Sequence, residues 1–66
     1  MTHPTPEEIR AARLAAGLTQ MQAGALISAL RRTWQNWEAP VGSPSHRNMP
    51  VAKWRFFNLL IEKATE

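Results

Sequence analysis

The chain has 66 residues, a formal charge of +3 and no cysteine. That length allows one small domain, with neither disulfides nor a thiolate metal site to reinforce it, so dimerisation is an expected source of further burial. Met1-Thr2-His3-Pro4 lacks the basic-then-apolar pattern of a signal peptide, and no apolar run approaches the roughly 20 residues that span a bilayer. The expectation is a cytoplasmic protein without a membrane partner.

Charge placement is more informative than its sum. Arg10 and Arg13 are offset by Glu7 and Glu8, whereas between residues 31 and 55 Arg31, Arg32, Arg47, Lys53 and Arg55 face Glu38 alone. A basic stretch there suits either a solvated face or contact with a polyanion.

Residues 1–4 read as a tail and 5–66 as one domain. Thr5-Pro6-Glu7-Glu8 opens a first helix: threonine at the cap, proline at the first helical position, and glutamate completing a capping box. This helix is expected over 6–16, stopped by Gly17 in a left-handed conformation, with Ile9, Ala12 and Ala16 on one face and Leu18 closing over it. Thr19 caps a second helix over 20–27, whose inner stripe reads as Ala23, Leu26 and Ile27. Gly24 costs about 1 kcal/mol of helix propensity relative to alanine, which is useful only where another backbone comes close.

Ser28-Ala29 reads as a turn into a third helix over 31–39, ended by Pro40. Residues 40–48 are dense in turn formers. A last helix over 50–63 follows, with Val51, Trp54, Phe57, Leu60 and Ile61 on one apolar side and Asn58 as a polar break. Period-2 strands and repeats are absent from the sequence, so the expected fold is all-α with four helices.

Three features carry a family resemblance: Thr19-Gln20 opening a helix, the small Gly24 four positions after Gln20, and Trp34-Gln35-Asn36-Trp37-Glu38 closing the next helix. The chain resembles the Cro and phage-repressor superfamily of Xre-type helix-turn-helix proteins over residues 7–62. Arg32 to Glu38, followed by a last helix led by Met49-Pro50, is similar to short autorepressors of phages and mobile elements, some anti-CRISPR-associated regulators among them. The resemblance implies a phosphate contact at Gln20 and major-groove contacts by Arg31, Arg32, Gln35 and Asn36. It also implies buried positions for Trp34 and Trp37, and a partly buried ion pair between Arg13 and Glu38. Two positions depart from the pattern. Ser28 stands where glycine often makes the turn, and Leu30 where serine or threonine normally caps the reading helix.

The chemistry agrees with that implication. Arginine pairs with guanine O6 and N7, and asparagine or glutamine with adenine N6 and N7. Arg32 and Gln35 read as principal base readers, and Arg31 suits a phosphate equally well. An Arg-Arg pair by itself more often neutralises phosphate or faces solvent. The two tryptophans suit core packing better than single-strand stacking in so small a domain. Thr33 and the His46-Arg47-Asn48 segment, next to the start of the last helix, are further phosphate candidates.

The dimer surface is expected on the last helix, where Trp54, Phe56, Phe57, Leu59, Leu60 and Ile61 offer more apolar surface than one small core can use, with Trp54, Phe57, Leu60 and Ile61 as its contacts; the alternative is that all of these are core residues and the protein is a monomer or dimerises elsewhere. Nothing in the sequence arranges a nucleophile with a base, paired catalytic carboxylates or a metal-ligand cluster. The expectation is a non-enzymatic homodimeric repressor that takes no cofactor or small-molecule ligand and binds an inverted repeat in double-stranded DNA. The alternatives are an antitoxin or adaptor that grips a protein partner with its last helix, and an RNA-binding regulator.

Overall fold

The computed structural model describes residues 3–64. All regular structure among them is helical: α1 spans Pro6–Ala15, α2 Gln20–Leu26, α3 Arg31–Glu38 and α4 Val51–Ala64. Each boundary lies within a residue of its expected position. Met1 and Thr2 of the expected tail lie outside the described residues. Pro4, assigned to the same tail, is instead buried, so the packed chain begins before the first cap.

Local sequence chemistry explains the helix ends. At α1, Thr5 Oγ1 accepts from the Glu8 amide at 3.1 Å and a Glu8 carboxylate oxygen accepts from the Thr5 amide at 2.8 Å. Gly17 takes φ +72°. Its amide donates to the Leu14 carbonyl at 3.0 Å, and the Leu18 amide donates to Arg13 at 3.1 Å. Those two bonds form a Schellman ending. Thr19 and Gln22 repeat the capping box at α2, with bonds of 3.1 and 2.9 Å. α3 begins without such help: Leu30 holds the cap position in extended backbone, makes no side-chain cap bond and is largely exposed. Ala39 is extended ahead of Pro40, as the proline ring demands.

α2 and α3 form the most extensive helix pair, joined by residues 27–30. Gly24 lies at their closest approach, where a Cβ would stand 2.6 Å from the Ala29 carbonyl oxygen. The same backbone contact is a bond, since the Ala29 amide donates to the Gly24 carbonyl at 2.8 Å. Ser28 turns the chain at φ 59°, the left-handed region that disfavours a side chain.

One expected inner residue is displaced. Leu26 remains 44% exposed, while Ala23, Gly24 and Ile27 are buried. Close packing at Gly24 turns the buried face of α2 toward residues 23, 24 and 27, and Leu26 falls about 100° away from its centre.

The core consists of Ile9, Ala23, Ile27, Trp34, Trp37, Met49 and Phe57, with Ala12, Leu18, Ala29, Trp54, Leu60 and Ile61 packed against it. Trp34 is its centre. Its ring meets Trp37 at 5.6 Å and Phe57 at 4.9 Å, both edge-to-face. Met49 is fully buried in the approach to α4 and anchors the long connection from α3. Asn58 is accommodated by donating to the Trp54 carbonyl at 2.8 Å, and Lys53 Nζ donates to the Ile27 carbonyl at 3.1 Å across to the end of α2.

Two substitutions test this corner with opposite signs. Gly24→Ala forces overpacking against backbone, a cost of about 1–3 kcal/mol that outweighs the roughly 1 kcal/mol gain in helix propensity, so thermal denaturation should show a lower Tm. Ser28→Gly relieves a left-handed residue worth about 1–2 kcal/mol against a glycine entropy cost of about 0.5–1 kcal/mol, so Tm should rise by several degrees.

Candidate nucleic-acid interface

α3 has one buried side, formed by Trp34, Trp37 and Glu38. At about 100° per residue, Arg32, Gln35 and Asn36 lie on the side away from it, and Arg31 and Thr33 flank them on either edge. Arg31, Arg32 and Gln35 are exposed, and their side chains make no hydrogen bond or ion pair among the described residues. Asn36 and Thr33 are half-buried.

The orientation of this helix is fixed by the polar cluster around Glu38, which is only 7% exposed. Arg13 approaches from α1 in a forked pair, with Nε to one carboxylate oxygen at 2.6 Å and a terminal nitrogen to the other at 3.1 Å. The Trp34 indole N–H also donates to Glu38. Gln20 adds a longer bond at 3.4 Å, and a further Arg13 nitrogen donates to the Leu18 carbonyl at 3.0 Å. Burial pushes the Glu38 carboxyl upward, but the hydrogen bonds of Arg13 and Trp34, the Arg13 charge and the Gln20 bond outweigh it and hold the group below its ordinary value of 4.5.

The ion pair expected between Arg13 and Glu38 is therefore present. Gln20, expected at a phosphate, has its side chain turned inward onto Glu38. Sequence reasoning passed over Arg10. Its guanidinium stands 4.0 Å from a Glu38 oxygen whose charge Arg13 already balances, and its side chain is 64% exposed. Arg10 and Arg31 share an open cleft of ≈ 830 Å³ whose apolar walls include Leu14 and Met21. Its position three residues before Arg13 on the same helix was the available signal, since the two must point to one side.

At the other end of α3 the loop through residues 40–50 is fastened down. The Arg47 amide donates to the Asn36 carbonyl at 3.0 Å. His46 Nδ1 donates to the Ala39 carbonyl at 2.9 Å, and Nε2 lies 3.2 Å from Asn48 Oδ1. One Arg47 guanidinium nitrogen donates to the carbonyls of Pro44 and His46, at 3.2 and 2.8 Å. The ring of His46, expected to help at a phosphate, is thus occupied with the loop. Arg47 is exposed, with its guanidinium folded back onto the loop carbonyls.

The residues expected at a dimer surface divide into inward and outward ones. Phe57 is fully buried within the protomer against Trp34, and Trp54, Leu60 and Ile61 are half-buried against the same core. The freely exposed large side chains of α4 are Phe56 and Leu59, at 47% and 56%. α4 crosses the α2–α3 pair where Lys53 meets Ile27, and this turns residues 54, 57 and 61 inward and the 56/59 side out.

No helix is long and apolar enough to cross a membrane, and no group of three or more His, Cys, Asp or Glu side chains could hold a metal, among the described residues. No protein-family model and no curated protein matches the chain.

The lowered Glu38 pKa sets a pH dependence. A carboxyl whose folded pKa lies below its unfolded value contributes stability that is complete above the unfolded value and lost as pH falls through the folded one. Melting curves below about pH 4.5 should therefore show Tm falling. Glu38→Gln leaves the largely buried Arg13 unpaired and should cost about 3 kcal/mol near neutrality. The Tm difference between wild type and this variant should shrink as pH falls, and a constant difference would assign the acid sensitivity to other carboxylates.

Proposed function

We propose that the protein is a sequence-specific repressor acting in the cytoplasm. It binds double-stranded DNA as a homodimer and lays α3 in the major groove, as the family resemblance implies. The observation that carries this reading is the outward side of α3. Arg31, Arg32 and Gln35 have no partner among the described residues, whereas Arg13, Arg47 and Lys53 are all bonded within the fold. Exposed donors on a helix held rigid from behind are what base reading requires.

Arg32 and Gln35 take base edges, with Asn36 beside them. Arg31 and Arg10, across the cleft, take phosphate on one side of the groove, and Arg47, whose loop bonds use one guanidinium nitrogen, takes it with the others. Two-fold pairing would present two such helices to half-sites about 34–36 Å apart. Repression then follows from occupying an operator.

Selection from a random duplex library at physiological salt should yield an inverted repeat bound roughly 10³-fold or more above scrambled DNA. Arg32→Ala and Gln35→Ala should each relax preference at one base position by about 1–3 kcal/mol while leaving the melting curve unchanged. Arg10→Ala should weaken binding evenly across sequences and reduce the salt slope by about 1. Failure to enrich any sequence, with only salt-sensitive binding, would overturn the reading in favour of a protein-binding adaptor.

A further inference from the structure

Of the two positions that depart from the repressor pattern, Ser28 makes the turn, whereas the side chain of Leu30 has no task within the fold. Leu30 holds the cap of α3 in extended backbone, and its carbonyl accepts from the Trp34 amide at 3.0 Å. The side chain makes no cap bond, lies outside the core and the residues packed against it, and is 76% exposed. No large apolar side chain among the described residues is more exposed. α1 and α2 both begin with complete capping boxes, which α3 forgoes.

A leucine exposed on the side of a helix would call for no account, since single apolar residues are normal on surfaces. At a cap it takes the place of a hydrogen-bonding side chain and lowers stability. A local rule broken without compensation inside the fold marks a site of function.

We infer that Leu30 determines operator specificity by packing against the C5-methyl group of a thymine in the major groove. The inference rests on the DNA reading above and goes beyond the family resemblance, which implies a capping residue at this position. A reading helix contacts base edges with its N-terminal residues. Leu30 lies at the tip of α3, directly before the exposed Arg31 and Arg32. The end of the helix that carries polar readers therefore carries one large apolar group as well.

The chemistry of leucine narrows what it can recognise. Without a donor or acceptor it cannot pair with the polar edges of guanine, adenine or cytosine. Thymine alone among the four bases presents an apolar group in the major groove. The recognised feature is thus one methyl group, on a T·A pair beside the pair that Arg32 reads. The two guanidinium groups favour the same occupant. An apolar protein surface would strip their water without pairing them, whereas the groove supplies acceptors and phosphates around the methyl.

The test removes that methyl and nothing else. In the operator obtained by selection from random duplexes, each thymine is replaced in turn by deoxyuridine. Wild type and Leu30→Ala are then titrated against every duplex. At one thymine in each half-site the replacement should weaken wild-type binding by about fourfold, the worth of one buried methyl-sized group. The same replacement should leave the binding of Leu30→Ala unchanged. Leu30→Ser should lose the methyl preference too, yet melt about 4–8 °C higher, because serine restores the cap.

An operator indifferent to every deoxyuridine overturns the assignment and leaves the DNA reading standing. So does a replacement that weakens wild type and Leu30→Ala equally. A Leu30→Ser chain that melts below wild type also overturns it, since the leucine would then have a structural role. Failure to select any operator overturns the DNA reading, and this contact with it.

Discussion

Glu38 draws α1, α2 and α3 together through a single carboxylate. Arg13 reaches it from α1, Gln20 from α2 and Trp34 from its own helix, and Arg13 also ties down the corner after α1 through the Leu18 carbonyl. Moving an ionised carboxylate out of water is costly, and a buried pair often contributes little net stability against an apolar alternative. What this cluster supplies is direction. Trp34 and Glu38 stand one turn apart on the same side of α3, so satisfying both fixes the helix's rotation about its axis. Arg32, Gln35 and Asn36 then have to face away from the core.

Backbone contact sets the remaining freedom of α3, its approach to α2. At Gly24 the Ala29 carbonyl lies where a side chain would otherwise be, and the Ala29 amide bonds back to the Gly24 carbonyl. A separation set by main-chain atoms cannot be adjusted by choosing another rotamer. The chain reaches it by taking Ser28 into the left-handed region, an unfavourable conformation for a residue with a Cβ. Local strain at one turn residue is thus accepted so that two helices meet at a fixed distance.

Signals confined to a few residues could be read from the sequence. Thr5 with Glu8, Gly17 after its helix, Thr19 and Pro40 each specify an end by themselves, and all act where expected. Gly24 could be understood because a glycine inside a helix asks for a physical reason. The misreadings concern facing, which depends on packing between distant segments. Leu26 looked inward until the close contact at Gly24 turned its helix. Phe57 and Phe56 are adjacent and chemically alike, and only the crossing of α4 over α2 decides which is buried. Gln20 was expected at a phosphate by resemblance, and its acceptor within the fold is 18 residues away. Met49 looked like a lead-in to a helix, although its burial anchors a loop rich in turn formers. The outward residues of α3 were legible for a simpler reason, since two tryptophans three apart leave little doubt about which side is inside.

The two outer faces of this small domain are not independent. Phe57 packs on the inner side of α4 directly against Trp34 of α3, and Lys53 fastens the start of α4 to the end of α2. α4 therefore cannot rotate without disturbing the core beneath the exposed donors of α3. The loop between α3 and α4 adds little freedom, because Met49 and His46 bind it to the same body. A substitution at Trp34 or Phe57 therefore acts on the direction of the outward side of α3 as well as on stability.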